Sequence, residues 1–338
     1  MTQLDKKRIL LVGGEGYIGN VLTRELLKKN SNIVSFDNLI YRHDSLIEDK
    51  KSLNNYKFIN ASITNINDIK KNLNDVDAVI ILAGLVGDPI TKKYPKESNL
   101  INLLGIKNII DESIKAKIKK IVFISTCSNY GLIKENEIAD EKHILKPLSI
   151  YAESKVNIEN YLMSLKDKTD CCITILRFAT AFGLSERMRF DLTLNEFVRN
   201  LYMGNELVVY DSDTWRPYCH VKDFARLIIK VLSSDDDKTN FQIFNAGGDQ
   251  NNSTKKMLVN KILHYIPSGK VTFQEKGNDP RNYRVNFQKV REILDFEIEY
   301  NIDFGITEII NALKENKFSD IEKNINFYGN YEISLDRI

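Results

Sequence analysis

Tyr151 and Lys155 stand four residues apart in the stretch YAESK. On a helix, residues at this spacing share one face, so the phenol and the ammonium can lie side by side. A neighbouring cation stabilises a phenolate and lowers the pKa of the tyrosine, which suits Tyr151 to take a proton from an alcohol. The same spacing also occurs on ordinary exposed helix faces, so its meaning depends on where the fold places the pair.

Small polar residues lie upstream, where the apolar run KIVFIS ends in STCSNYG. A hydroxyl at the end of a strand can hold a substrate alcohol in line with a base. We therefore expect a hydroxyl from this strand end to act together with Tyr151.

A glycine-rich turn follows the first apolar run, ILLV, in the order Gly13-Gly-Glu-Gly16-Tyr-Ile-Gly19. Glycines at this spacing let the backbone approach a pyrophosphate at the N-terminus of the following helix. Asp37 closes the second apolar run, where a carboxylate can bind the ribose hydroxyls of NAD and repel the 2′-phosphate of NADP. The alternatives are a tight turn that binds nothing and an aspartate that only caps a strand.

Apolar runs alternate with helix-period segments through the first half of the chain, which predicts a parallel, doubly wound α/β sheet. The predicted strands are Arg8–Gly13, Asn32–Asp37, Lys57–Asn60, Ala78–Ala83, Lys120–Ser125 and Cys171–Phe178. The predicted helices between them begin near Tyr17, Asn65, Pro95 and Ser149. Because several strands are apolar throughout, both faces of the sheet should be covered.

The pattern changes after Phe178, where a charged stretch and one helix over 192–203 precede a buried strand over 241–246. We predict a dinucleotide-binding domain over 1–178, to which the chain returns at about 216–246. A smaller, partly discontinuous α/β domain over 179–215 and 247–338 should bind the substrate at the carboxyl edge of the sheet.

Composition narrows the class of protein. The 338 residues carry a net charge of +2 with no basic stripe, so we expect no nucleic-acid partner. The four histidines are scattered and the four cysteines form no C-x-x-C pair, so we expect no metal site and reduced thiols. The first apolar run is too short for a signal-peptide core and no run is long enough to span a membrane, so a cytoplasmic protein is expected.

Taken together, these motifs resemble the extended short-chain dehydrogenase/reductase superfamily, in particular its NAD-dependent nucleotide-sugar epimerase/dehydratase group. The motifs are GGEGYIG, FDNL, LAG at 82–84, STCSNYG, PLSIYAESK, ILRFATAFG and RPYCHVKD. The resemblance implies a Rossmann-type sheet, NAD as the cofactor and a nucleotide-diphosphate sugar as the substrate. It makes Tyr151 the base, Lys155 its partner on the nicotinamide ribose, and Thr126 the catalytic hydroxyl.

The resemblance also implies which residues contact the cofactor. Besides Ser125, Tyr151 and Lys155, they are Gly13, Gly16, Tyr17, Ile18, Gly19, Asp37, Asn38, Ser62, Ile63, Leu82, Ala83, Gly84 and Asn102. Ser62 departs from the pattern, because the family usually has an aspartate near the adenine.

A second set of positions is implied for the substrate. It comprises Thr126, Thr180, Arg187, Arg189, Val208, Tyr210, Arg216, Asp279 and Arg281. Arg216 matches an arginine that grips the sugar-nucleotide pyrophosphate, and a guanidinium pairs well with phosphate oxygens. For the arginines, the alternative is a surface ion pair or a solvated basic loop. Thr180 departs from many epimerases, which have an asparagine there.

The resemblance favours a 4-epimerase that abstracts hydride from sugar C4 to give a 4-keto intermediate. The segment 178–191 is similar to a subgroup that includes GDP-heptose 4-dehydrogenases, so release of the 4-keto sugar, or its reduction, is the alternative. A non-catalytic NAD-binding sensor is a third possibility. Cys127 and Ser128 replace the Asp-Glu pair of the 4,6-dehydratases, so elimination of water is not expected.

The resemblance also implies a homodimer, in which helices over 95–116 and 149–165 pair across a two-fold axis as a four-helix bundle. The alternative is that their apolar stripes simply pack on the sheet.

Overall fold

The computed structural model describes residues 4–134, 136–275, 277 and 281–338. Its main sheet has seven parallel strands in the order β10-β6-β5-β4-β1-β2-β3. These strands are β1 (Arg8–Val12), β2 (Asn32–Asp37), β3 (Tyr56–Asn60), β4 (Ala78–Ile81), β5 (Lys120–Thr126), β6 (Cys172–Phe178) and β10 (Gln242–Ala246). The predicted doubly wound parallel sheet is confirmed, and the strand order reverses between β1 and β4, where such sheets bind ligands.

Apolar side chains cover both faces of this sheet. Along β1, Ile9 and Leu11 join one core and Leu10 and Val12 join the other. The first core contains helices α1 (Tyr17–Leu27) and α8 (Val221–Ser233). The second contains α2 (Ile66–Asn72), α5 (Ile106–Lys115) and α6 (Ile150–Met163). Burial on two faces explains why these strands are apolar throughout.

A second group of elements packs around a third apolar core that includes Phe182, Phe190 and Ile306. Its strands are β7 (Thr180–Phe182), β8 (Leu207–Tyr210), β9 (Trp215–His220), β11 (Asn252–Thr254) and β12 (Val271–Gln274). They form a sheet in the order β11-β9-β7 and a parallel pair of β8 with β12. The helices are α7 (Thr193–Tyr202), α10 (Lys255–Tyr265) and α12 (Ile302–Lys314). The domain limits that we predicted remain a prediction.

The helix predicted from Pro95 is interrupted. It comprises α4 (Pro95–Asn99), a π-helical turn over Leu100–Gly105 and α5. A Cβ at Gly105 would come within 2.7 Å of Ile63, so glycine permits the close packing there. The remaining short helices are α3 (Asp88–Lys93), α9 (Asp236–Thr239), α11 (Gln288–Leu294) and 3₁₀ turns over Asp44–Lys50, Cys127–Tyr130, Asp249–Asn251 and Leu335–Arg337. Within the described ranges, no helix has both the length and the apolar character required to cross a bilayer.

Candidate active site

A cleft opens at the carboxyl ends of β1, β2, β4 and β5, with a cavity volume of about 570 Å³. That size suits a small-molecule ligand. The predicted residues in its walls are Gly13, Gly16, Tyr17, Ile18, Gly19, Asp37, Asn38, Ser62, Ile63, Leu82, Ala83, Gly84, Ser125, Thr126, Tyr151, Lys155, Thr180, Arg187, Arg189, Arg216 and Arg281. The structure thus brings together, in one cavity, residues that are spread over 269 positions, from 13 to 281.

The glycine turn is shaped for close approach. Gly13 has a φ of +84°, and a Cβ there would lie 2.6 Å from the backbone nitrogen of Ala83. A Cβ at Gly19 would lie 2.4 Å from the carbonyl oxygen of Gly14, so helix and turn can pack only without side chains. At Gly16, by contrast, the nearest atom to such a Cβ is the Gly13 oxygen at 3.4 Å. The turn is therefore closely packed at Gly13 and Gly19 and has room at Gly16, as a pyrophosphate site requires.

A buried carboxylate anchors the same turn. Glu15 accepts hydrogen bonds from the hydroxyls of Ser35 and Tyr56, both at 2.6 Å, and from Lys50 at 2.6 Å. Its side chain is fully buried, and the ion pair with Lys50 links the turn to the 3₁₀ turn after β2. Sequence reasoning missed this role, because the partners of Glu15 lie 20 to 41 residues away.

Asp37 lies at the end of β2, facing the turn. Its carboxylate accepts hydrogen bonds from the backbone nitrogens of Glu15 at 3.0 Å and Leu39 at 2.8 Å. Burial, reinforced by the charge of Glu15, raises the pKa of Asp37 to about 6. Its position in the cleft wall fits the predicted contact with the adenosine ribose.

Tyr151, Lys155 and Thr126 meet at the end of β5. Lys155 donates a hydrogen bond of 2.7 Å to the carbonyl oxygen of Ile124, and its Nζ lies 5.9 Å from the centre of the Tyr151 ring. The Thr126 hydroxyl lies close enough to the Tyr151 phenol to lower the pKa of Tyr151 through hydrogen bonding. All three side chains are buried, and all three line the cleft. The spatial convergence expected from the sequence is therefore present in the fold.

The polypeptide alone does not hold this phenol as a phenolate. Burial raises the pKa of Tyr151 above its ordinary value, and the Arg189 charge and the Thr126 hydrogen bond oppose that rise only in part. Burial also lowers the pKa of Lys155 to about 7, against the opposing charge of Glu159. In the ligand-free protein the neighbouring lysine does not offset burial, so we expect the further positive charge to come from a bound ligand.

The depressed pKa of Lys155 has a measurable consequence for stability. Between pH 7 and its ordinary value of 10.5, the unfolded chain binds a proton that the folded ligand-free chain has released. The unfolding free energy should therefore rise with pH across this window, whereas below pH 7 the cost of burying the charge is present in full. Lys155→Met should abolish that rise in chemical denaturation series, and Lys166→Met, at an exposed position after the same helix, should preserve it. If the unfolding free energy of Lys155→Met still rose with pH as in the wild type, that rise would not come from Lys155.

A buried ion pair links helix α6 to strand β6, next to β5. Glu159, two turns after Tyr151, accepts hydrogen bonds from Arg177 Nη2 at 2.7 Å and from Arg177 Nε at 3.1 Å. The same carboxylate accepts hydrogen bonds from Ser125 at 2.5 Å and from Asn129 at 2.8 Å. The pair therefore sets the position of the catalytic helix relative to the strand end that carries Thr126.

Asn102, predicted to contact the cofactor, is not among the residues that line the cleft. Its side-chain oxygen accepts a hydrogen bond of 2.8 Å from the backbone nitrogen of Leu85, and its amide donates one of 3.0 Å to the Leu85 oxygen. Both ends of the amide are thus committed to the loop after β4. Asn102 thus holds the loop that carries Gly84, and its predicted contact with the cofactor stays a prediction.

The arginines of segment 183–191 differ from expectation too. The sequence analysis assigned Arg187 and Arg189 to the substrate, with a solvated loop as the alternative. Both are buried, at 2% and 8% exposure. Arg187 stacks on Tyr41 at 4.7 Å, and its charge acts on Asp37, so it lies beside the segment that follows β2. That is the cofactor side of the cleft.

Residues at the opposite end of the cleft form a polar cluster over Tyr151. Arg281 forms an ion pair of 3.2 Å with Asp88 and donates a hydrogen bond of 3.2 Å to the Ser128 hydroxyl. Arg216 packs over the Tyr283 ring at 5.1 Å and donates to the carbonyl oxygen of Arg281. Asp88 and Tyr283 were not predicted from the sequence, although Gly87-Asp88-Pro89, at the end of the loop after the fourth strand, was a usable helix-start signal.

Two residues predicted to bind substrate, Val208 and Tyr210, stand apart from this cluster. Val208 and Tyr210 are 40% and 46% exposed, on one edge of β8 and outside the walls of the cleft. The Tyr210 carbonyl oxygen accepts a hydrogen bond of 2.7 Å from Lys255, which does line the cleft. Asp279 lies outside the described residues. Their proposed contacts with the nucleotide stay predictions.

The C-terminal segment 328–338 completes the cleft, which sequence reasoning did not anticipate. Asn330 and Tyr331 line the cavity. The segment is tied to the chain after β2. The Ser334 backbone nitrogen donates a hydrogen bond of 2.9 Å to the Ile40 oxygen, and the Asn38 side-chain amide donates one of 2.6 Å to the Arg337 oxygen. No local pattern signals such a contact, because nearly 300 residues separate the two segments.

Comparison with known proteins places this geometry in a family. A statistical description of the NAD dependent epimerase/dehydratase family matches residues 9–247, which is more than half of the chain. The chain belongs to that family. It is therefore an enzyme with NAD as its cofactor, as the glycine turn and Asp37 indicated.

Similar proteins catalyse several related reactions. The chain is 27% identical to a putative UDP-glucose 4-epimerase of Methanocaldococcus jannaschii, covering 91% of this chain and 99% of that protein. It is 25% identical to UDP-N-acetyl-alpha-D-glucosaminuronate decarboxylase of Bacillus cytotoxicus, covering 92% and 98%. A UDP-glucuronic acid 4-epimerase of Bacillus cereus, crystallised with UDP-glucuronic acid and NAD, is similar in fold with a TM-score of 0.82 and 22% identity, covering 91% and 99%.

Proposed function

We propose that this enzyme is a nucleotide-sugar 4-epimerase. The observation that carries the proposal is the meeting of Tyr151, Lys155 and Thr126 at one end of β5, beside a cluster that contains Arg216 and Arg281. A base beside guanidinium groups suits an alcohol attached to a diphosphate.

Each residue has a distinct task in the proposed reaction. Tyr151 removes the proton from the sugar C4 hydroxyl, and Thr126 holds that hydroxyl in line with the phenol. Lys155, anchored on the Ile124 carbonyl, positions the ribose and adds positive charge near the phenol. Bound NAD supplies the hydride acceptor and a cationic ring. The sugar keeps its oxidation state overall when the hydride returns to the other face of the 4-keto sugar.

Loss of water from the sugar is not part of the proposal. Cys127 is 1% exposed, and its thiol donates a hydrogen bond of 3.2 Å to the Arg177 oxygen. Burial raises the pKa of that thiol above its ordinary value. Ser128 does line the cleft, but a serine hydroxyl has no acidic or basic pKa near neutrality. Neither residue replaces the acid and base that a dehydratase needs.

A nucleotide-sugar panel tests the function directly. Purified protein supplied with NAD should interconvert one pair of C4 epimers among UDP-, dTDP- and GDP-sugars, with no net reduced nicotinamide, as measured by NMR and absorbance. The segment 178–191 favours a 4-dehydrogenase as the second candidate, and that enzyme would release a 4-keto sugar together with stoichiometric NADH. Absence of turnover with every sugar, despite bound NAD, would contradict both and would support a sensor.

The assembly and location are further parts of the proposal. Leu100 and Leu104 are 38% and 51% exposed on the helix that continues into α5, next to α6. Apolar groups one helical turn apart on an exposed face support a homodimer through these helices, measurable by sedimentation velocity. All four cysteines are buried free thiols, which supports a reducing, cytoplasmic environment.

A further inference from the structure

Arg187 is a buried cation in the wall of the cleft. It is 2% exposed, and it is among the largest side chains that are fully buried. Its Nη2 donates a hydrogen bond of 3.0 Å to the Gly329 oxygen, and its guanidinium lies 4.7 Å from the centre of the Tyr41 ring. Its Nε has no hydrogen-bond partner among the described residues. Other atoms of the same residue line the cleft.

The charge of Arg187 lacks a direct counterion in the described part of the chain. The acidic residues nearest in sequence have other partners: Glu186 pairs with Arg24, and Asp191 accepts hydrogen bonds of 3.0 and 2.5 Å from Arg189. Burial lowers the pKa of Arg187 to about 10, which still leaves the guanidinium charged at neutral pH. A buried cation without a partner lowers the stability of the protein, so its retention suggests an anionic ligand.

The surroundings of Arg187 indicate which anion. Its stacking partner Tyr41 lies four residues after Asp37, which ends β2 and marks the ribose end of the dinucleotide site. Ser185, two residues before Arg187, donates a hydrogen bond of 2.7 Å to the carbonyl oxygen of Tyr17, the first residue of α1. Arg187 thus lies between the ribose end and the helix N-terminus, the path of a dinucleotide pyrophosphate.

We propose that Arg187 binds the pyrophosphate of NAD and is a cofactor-binding residue rather than the substrate contact expected from the sequence. The proposal rests on the NAD dependence of the family and is independent of which sugar reacts. Its corollary is that Arg187 destabilises the ligand-free protein and stabilises the NAD-bound one.

The test compares two ligands on one variant. Arg187→Met should weaken binding of NAD and ADP-ribose about 10- to 100-fold, the loss expected for a hydrogen bond to a charged group. Adenosine, which lacks the pyrophosphate, should bind within twofold of wild type. The melting temperature of the ligand-free variant should rise, and the further increase caused by NAD should shrink. Isothermal titration calorimetry and thermal unfolding measure these quantities without any turnover.

Arg24→Met is the matched control. Arg24 pairs with Glu186, next to the same segment, but its side chain is 55% exposed. This variant should leave the affinities for NAD, ADP-ribose and adenosine unchanged. If the methionine variant does not fold, Arg187→Gln, which can keep the hydrogen bond to Gly329, takes its place. It should likewise weaken the binding of ADP-ribose and leave that of adenosine unchanged. ADP-ribose binding unchanged in these Arg187 variants, or adenosine weakened equally, would overturn the proposal.

Discussion

Tyr151→Phe should reduce kcat by about 10²- to 10⁴-fold, the contribution typical of a positioned general base. The phenol hydroxyl is the atom that takes the proton, and Thr126 cannot replace it because a serine or threonine hydroxyl is not basic near neutrality. The affinity for NAD should stay within a few-fold of wild type, since the glycine turn and Asp37 are untouched. Steady-state kinetics on the epimerised nucleotide-sugar and calorimetry with NAD measure the two effects.

Tyr161→Phe provides the control on the same helix. Its hydroxyl donates to Asp111 outside the cleft, so deleting that oxygen should leave kcat near the wild-type value. A Tyr151→Phe enzyme with kcat close to wild type would remove Tyr151 from the role of base. A Tyr151→Phe enzyme that had also lost NAD would instead indicate a defect of folding.

Arg177→Met should lower the unfolding free energy by about 3–5 kcal/mol, the cost of leaving one partner of a buried ion pair behind. Both side chains are almost fully buried, at 4% for Arg177 and 3% for Glu159. The stranded carboxylate would keep only the neutral donors Ser125 and Asn129. Because Glu159 lies on the helix of Tyr151 and Lys155, kcat should fall as well. Chemical denaturation measures the stability change.

The double variant Arg177→Met with Glu159→Leu separates charge from packing. It removes the stranded carboxylate together with its partner, so much of the lost stability should return. Lys28→Met, which breaks an exposed pair with Glu25, should change the unfolding free energy by less than about 1 kcal/mol. If the double variant were no more stable than Arg177→Met, the loss would come from packing and not from an unpaired charge.

The predictions that succeeded rest on short stretches of chain. The strand, glycine turn and helix over residues 8–27 form one continuous unit, and its hydrophobic pattern and glycines are all local. The same holds for α6, where Ser149 caps the helix by accepting a hydrogen bond of 3.2 Å from Ala152. Tyr151 and Lys155 share a face because helical geometry requires it.

The roles that were missed or misplaced depend on distant partners. The sequence around Arg187 is typical of a basic loop. Its burial becomes evident only from its contacts with Tyr41 and Gly329, which are 146 and 142 residues away. Asn102 has the residue type of a ligand contact, but the Leu85 backbone uses both ends of its amide. Burial raises the pKa of Tyr151, and no local pattern reports that.

By itself, the sequence determined the parallel sheet, the glycine turn and the shared helical face of Tyr151 and Lys155, because backbone geometry and hydrophobic periodicity act over a few residues. Only the tertiary structure decided which charges are buried, which donors remain for a ligand, and that the C-terminal segment closes the cleft. Burial and electrostatic pairing depend on atoms brought together from all parts of the chain, so they emerge only when the fold is complete.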